Sequence, residues 1–302
     1  MAIDLQRFLS AEIGVRLAKA VGRVCPPRLG YALADSIADL IAANRKSRIV
    51  RAVRANQWVA RGMGSADEGL DRAVREVFHH LARSIFELYY GLAHPQEALD
   101  SIDLDPSADF LRLHPEFDGR GLMLVSPHLG NFDLMLHTLS MQGIKPLVLT
   151  LPNPRGGRRM EFESRKNSGA YLLPGSFPAL RKALRHLQQG GYVATGIDRP
   201  IPHPHLRPHF FGHPAALPMH HIFLALKARV PVKVLATHRL PDGKHIIQAS
   251  DPIALEPHPD RETEALQNAE RVLRVAEGYI RKAPAQWSVS LPVWPDLPVR
   301  IP

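Results

Sequence analysis

The chain has 302 residues, 45% hydrophobic and 22% charged, a balance that suits a globular fold with a sizeable core and excludes disorder. Lys and Arg total 38 against 29 acids, a net charge of +9, so charge alone points to anionic partners: nucleic acid, lipid head groups or phosphorylated substrates. The single cysteine, Cys25, excludes an intramolecular disulfide framework and a Cys-rich zinc site.

In chain order, the first ~95 residues read as helical. Leu5, Phe8, Leu9, Ile13, Leu17 and Val21 recur every three or four positions, with Arg7, Arg16 and Lys19 between them. That pattern is an amphipathic helix with a basic face, compatible with core packing or with a membrane interface. A second helix is predicted over residues 28–44, and a third over 68–92, with Leu70, Val74, Val77, Leu81, Ile85 and Leu88 on one stripe. No run of ~18 apolar residues is present to span a bilayer. Residues 29–44 come nearest and are broken by Asp35 and Asp39. The start shows no signal peptide, so a membrane-bound form is expected to lie on the surface.

From Gly121 the texture changes to short apolar runs separated by turns. Strands are predicted at residues 122–126, 147–151, 192–196, 232–237 and 246–253, and helices at 132–142, 177–189, 219–229 and 261–282. The alternation implies an α/β fold, a central mostly parallel sheet flanked by helices. The domain reading is a helical, membrane-associating segment at 1–95 and the α/β domain at 96–302. The Pro-rich end from Pro292 is expected to run over the surface.

The segment richest in chemistry is Val-Ser-Pro-His-Leu-Gly-Asn-Phe-Asp, residues 125–133. A strand ends, a turn follows, and a helix opens, which puts His128 at the carboxyl end of a strand, where open α/β sheets bind ligands. On one continuous helix His128 and Asp133 would point ~140° apart. The two meet only if His128 sits in the turn, with Gly130 bending the backbone. A neutral imidazole with a carboxylate on its other nitrogen suits proton removal from an attacking hydroxyl.

These residues resemble the HxxxxD block of the lysophospholipid acyltransferase superfamily. They are closest to the bacterial lipid A biosynthesis (lauroyl/myristoyl) acyltransferases and the related phosphatidylinositol mannoside acyltransferases. His128, Gly130, Asn131, Phe132 and Asp133 carry the match. Further blocks agree in order: Arg165 before Gly169; residues 190–198, ending a strand on Asp198; Phe210-Phe211-Gly212 with Pro214-Ala215; Val230-Pro231-Val232; Pro284-Ala285-Gln286-Trp287; and Arg51 to Asn56. Arg199 departs from the Gln commonly found after the strand-end acid.

The resemblance implies acyl transfer from an acyl carrier protein or coenzyme A thioester to a hydroxyl of a membrane glycolipid, such as a lipid A precursor or a mannosylated phosphatidylinositol. No cofactor is implied beyond the donor. His128 becomes the general base and Asp133 its orienter. Asn131, Arg165, Asp198, Arg199, Phe210, Phe211 and Gly212 become substrate-binding residues, the two phenylalanines walling an acyl chain and Asp198 orienting the acceptor or positioning the histidine. Helix N-terminal N–H groups or Arg165 would stabilise the oxyanion. The implied location is the cytoplasmic face of a bacterial cell membrane, on anionic lipids. Rival readings are a lysophospholipid acyltransferase, a lipid-binding relative without turnover, and a nucleic-acid binder, although no nucleic-acid motif is found. His203, His205, His209 and His213 match no standard metal spacing, so no metal site is expected.

Overall fold

The computed structural model describes residues 12–62, 67–111, 121–152, 159, 162–163, 166 and 171–297. Among these, four helices come first: α1 (Glu12–Val24), α2 (Pro27–Ala43), α3 (Arg48–Ala60) and the long α4 (Asp67–Ala93). The other three all pack on α4. Its predicted stripe is buried at Leu70, Val74, Val77 and Leu88 but leaves Ile85 exposed. The limits of α3 were not legible from periodicity, because its inner face includes Asn56 and Gln57 beside Val50 and Val53.

A short helix, α5 (Pro95–Asp100), leads into β1 (Ile102–Leu104). There follow β2 (Leu122–Ser126), α6 (Phe132–Met141), β3 (Leu147–Thr150), β4 (Tyr171–Pro174), α7 (Phe177–Gln188) and β5 (Tyr192–Gly196). The ribbon β6 (His209–Phe210) and β7 (His213–Pro214), helix α8 (His220–Ala228), strands β8 (Val232–Arg239) and β9 (His245–Ala249), and helix α9 (Arg261–Lys282) complete the described elements. The seven-stranded sheet has the order β1-β9-β8-β2-β5-β3-β4. Every pairing is parallel except β8 with β9.

Strand β2 shows why the sheet is central. Alternate side chains point to opposite faces, and both faces are covered, so Leu-Met-Leu-Val is buried throughout. Met123 and Val125 pack with Leu187 of α7, Ile222 of α8 and Val272 of α9. Leu122 and Leu124 pack with Leu134, Met135 and Leu139 of α6.

The C-terminal segment departs from expectation. Val293 and Trp294 are buried, and the Trp294 indole donates to the Phe210 carbonyl at 3.1 Å. Prolines remove backbone donors but leave Trp294 able to complete an aromatic cluster with Phe210, Phe211 and Trp287.

Candidate active site

Strand β2 ends at Ser126, and His128 stands in the turn before α6. Asn131 caps that helix, its side-chain oxygen accepting from the Leu134 amide at 3.1 Å. The bend falls at Gly130, with φ +61°. A Cβ there would lie 2.1 Å from the Thr237 carbonyl oxygen, so the turn admits only glycine. Gly196, at the end of β5, faces the imidazole: a Cβ there would lie 3.1 Å from His128 Cε1.

The carboxylate beside His128 is Asp198, two residues beyond β5. Nδ1 donates to Asp198 Oδ1 at 2.5 Å, and the His128 backbone amide donates to Oδ2 at 2.7 Å. The Trp287 indole donates to Oδ2 as well, at 2.7 Å. Asp198 is fully buried, and these three donors compensate the water it has lost. An Nδ1–H directed at Asp198 leaves the imidazole lone pair on Nε2. The carboxylate on the imidazole's other nitrogen, expected to be Asp133, is in the structure Asp198. Asp133 sits in the first turn of α6 and lines the same cavity as His128.

Behind the turn lies a buried polar cluster. The Asn131 side-chain amide donates to Glu87 Oε2 at 3.0 Å and to the Ser84 carbonyl at 3.1 Å. Glu87 also meets His245 Nε2 at 3.0 Å, Arg239 Nε at 3.1 Å and the Tyr31 hydroxyl at 3.1 Å. Burial would raise the Glu87 carboxyl, but hydrogen bonds from His245 and Asn131 and the charges of His245 and Arg239 outweigh it, bringing its pKa down to about 2. Glu87 thus anchors the capping residue of the turn that bears His128.

A C-terminal strap closes the turn from the other side. The Gly130 amide donates to the Gln286 carbonyl at 3.0 Å, and the Ser288 amide donates to the His128 carbonyl at 2.9 Å. The strap is held by α3: the Asn56 amide donates to the carbonyls of Val289 and Leu291 at 2.8 and 2.9 Å, and Gln57 donates to that of Pro284 at 2.8 Å. The resemblance singled out both Asn56 and Trp287 without indicating that they serve one device.

His128 opens onto a cavity of about 870 Å³, at the large end for a small-molecule pocket. It runs between α6 and the sheet, past Leu124, Leu136, Leu139, Val148, Leu172 and Ala194. Asn131 and Arg199 line it, as does His220, whose Nε2 lies 3.1 Å from Thr195 Oγ1. Phe210, Phe211 and Gly212 do not line it. The two rings pack against Trp287 and Trp294, Phe210 stacked on Trp294 and the other contacts edge-on or tilted, on the side of Asp198 reached by the Trp287 indole. Arg165 and Gly169 lie outside the described residues. In the histidine-rich loop, His205 and His209 pair with Glu262 and Glu270 of α9 at 3.0 and 2.7 Å. Among the described residues no helix is long and apolar enough to cross a membrane.

The family model for bacterial lipid A biosynthesis acyltransferase matches residues 7–294. No curated protein matches the chain.

Proposed function

The chain belongs to the bacterial lipid A biosynthesis acyltransferase family and is an acyltransferase, and from that premise we propose that it transfers a fatty acyl group from a thioester to a hydroxyl of a membrane glycolipid, with His128 as general base. The observation that carries the reading is the His128–Asp198 pair at the end of an apolar cavity. Nε2 takes the proton of the acceptor hydroxyl as its oxygen attacks the thioester carbonyl. The tetrahedral intermediate then collapses, the carbon–sulfur bond breaks, and the imidazolium returns the proton to the leaving sulfur. Asp198 fixes the tautomer and stabilises the imidazolium.

Asp133, on the same cavity wall, adds negative charge that favours the imidazolium as it forms, and its place in the first turn of α6 suits the helix dipole. Amides at the α6 N-terminus, with Arg199 or Arg165, serve the developing oxyanion and the anionic groups of the substrates. The cavity takes the acyl chain. The donor is an acyl thioester of acyl carrier protein or coenzyme A. The +9 charge draws the protein to anionic lipids on the cytoplasmic face of the membrane.

The test is a mass-spectrometric acyl-transfer assay with both donors. The acceptor panel holds a lipid A precursor, mannosylated phosphatidylinositol and lysophospholipid. Wild type should yield a lipid heavier by one acyl group, and folded His128→Ala should lose ~100-fold or more of the rate. An unchanged rate in that variant would remove His128 as the base.

A further inference from the structure

The turn between β6 and β7 gathers two unfavourable choices in one place. A two-residue hairpin loop whose residues both have positive φ asks for Asn-Gly or Gly-Gly. Here the pair is Phe211 at φ +50° and Gly212 at φ +78°. A bulky aromatic residue stays in the left-handed region only where its surroundings hold it there. What holds it is Glu277 of α9, itself buried, whose Oε1 accepts the Phe211 amide at 2.6 Å. Arg281, one turn further along α9, pairs with Glu277 Oε2 at 2.9 Å and lies over the Phe211 ring at 4.8 Å. A buried carboxylate is costly where an apolar side chain would pack, so the two features together point to a role beyond filling the core.

The neighbour of Phe211 is the donor to Asp198. The Phe211 ring lies tilted 6.0 Å from that of Trp287, and Phe210 meets the same indole edge-on at 5.9 Å. Trp287 Nε1 donates to Asp198 Oδ2 at 2.7 Å, and Asp198 Oδ1 accepts from His128 Nδ1 at 2.5 Å. We propose that Glu277 is a positioning residue for the acyl-transfer site. It holds Phe211 left-handed, the Phe211 ring holds the Trp287 indole, and the indole fixes the Asp198 carboxylate against His128. The proposal deepens the reaction reading above and rests on it. Glu277, Phe211 and Trp287 do not line the cavity, so their contribution is to the orientation of the dyad and not to substrate binding.

Helix α9 grips the same ribbon at a second point. Glu270 accepts the His209 amide at 2.9 Å and pairs with His209 Nδ1 at 2.7 Å. Two full turns separate Glu270 from Glu277, which returns a helix to nearly the same face, so the two glutamates form one row along β6. The loop that ends in β6 begins at Asp198 itself. Helix α9 therefore sets both the donor to Asp198 and the far end of the segment that carries it. Trp294 closes the seat, its ring stacked on Phe210 at 5.8 Å and 6.1 Å from Trp287. An indole confined on these sides keeps its N–H directed at one carboxylate oxygen.

The test uses the full chain in the acyl-transfer assay, and nuclear magnetic resonance of the protein with nitrogen-labelled tryptophan. Trp287→Phe, which keeps a packed ring and removes the donor, should lower kcat on the order of tenfold, the effect of one hydrogen bond to a charged group, with KM unchanged. Glu277→Leu should do the same. Glu277→Gln, which keeps an acceptor for the Phe211 amide, should recover most of the rate. The double variant E277L/W287F should be no slower than Trp287→Phe alone, because both act through one contact. Should Glu277→Leu fail to fold, Phe211→Leu, which keeps apolar volume without the ring, gives the same readings. The Trp287 indole proton, identified by its loss in Trp287→Phe, should move upfield in Glu277→Leu as its bond to Asp198 weakens. Multiplied losses in the double variant, a raised KM with kcat intact, a wild-type rate in Glu277→Leu or an unmoved indole signal each overturn the proposal. If wild type turns nothing over while the indole signal still moves, the coupling to Asp198 stands and the reaction reading fails.

Discussion

Replacing Asp198 with asparagine tests the catalytic geometry most sharply, because the structure dictates how the new amide must sit. Asp198 Oδ2 accepts two hydrogen bonds, from the His128 amide and the Trp287 indole, and Oδ1 accepts one, from His128 Nδ1. The asparagine oxygen keeps the two donors by taking the Oδ2 position. Its NH2 then points at Nδ1 and must donate to it, which moves the imidazole proton to Nε2, where the lone pair is needed. The reverse orientation sets an NH2 against two donors in a fully buried site. The first orientation disables the base, and the second, which would keep the tautomer, is disfavoured because it sets donor against donor twice. The same exchange behind a catalytic histidine elsewhere costs ~10⁴ in kcat, about 5 kcal/mol of barrier, and that loss is expected here with KM little changed. Asp133→Asn, which leaves the Nδ1 contact intact, should cost no more than ~10-fold, the effect of one removed charge. The acyl-transfer assay, run with circular dichroism to show that each variant folds, reads both. If Asp198→Asn stays within tenfold of wild type while Asp133→Asn collapses, the tautomer argument is wrong and Asp133 is the working partner.

Three other perturbations follow from the same contacts. Asn56→Ala removes the hydrogen bonds to Val289, Leu291 and Val293, and at ~1 kcal/mol each urea unfolding should show ~3 kcal/mol lost, with kcat falling as the strap loosens. Gly130→Ala places a Cβ 2.1 Å from the Thr237 carbonyl oxygen at φ +61°, so thermal unfolding should reveal a loss above ~2 kcal/mol; a variant as stable as wild type would contradict the turn geometry. Burial takes the His80 pKa down to about 4 despite the nearby Glu87 charge. The unfolded chain therefore binds more protons between pH 6.5 and 4, and stability should be full above 6.5 and decline through that window by ~3 kcal/mol from His80 alone. His137, His186, His220, His221 and His238, all lowered by burial, act in the same direction. Urea titrations at several pH values should show the decline flattened in His80→Gln.

The sequence carried the alternation of strands and helices and the turn bearing His128, because both rest on local patterns: a continuous apolar run in β2, a glycine bend, an asparagine cap. Asp198 was visible as a strand-end acid, but its pairing with His128 spans 70 positions, and no spacing rule reports such a contact. The Phe210-Phe211 pair announced burial but not its neighbours, and the structure packs both rings on Trp287 and Trp294. Glu87 was hidden, one polar residue in the middle of a long amphipathic helix, and only the packing of α4 under Asn131 gives it meaning. In α2 the periodicity found the helix and could not tell which face was inside, because Gly30, Ala34 and Ala38 repeat every four positions and so do Leu29, Leu33 and Ile37.

The strap has a kinetic consequence. Asn56 and the carbonyls and amide it clasps are 233 to 237 positions apart, so the clasp closes one of the largest loops in the chain, and such contacts are slow to form. His128 and Asp198 can be brought together by the sheet alone, whereas the Trp287 donor and the Gln286 and Ser288 pairings wait for this closure. The full set of contacts around His128 is therefore expected to be completed late in refolding, after the sheet has acquired its strand order. The Trp287 indole, moving from water to the buried Asp198 carboxylate, supplies an intrinsic fluorescent clock for that step.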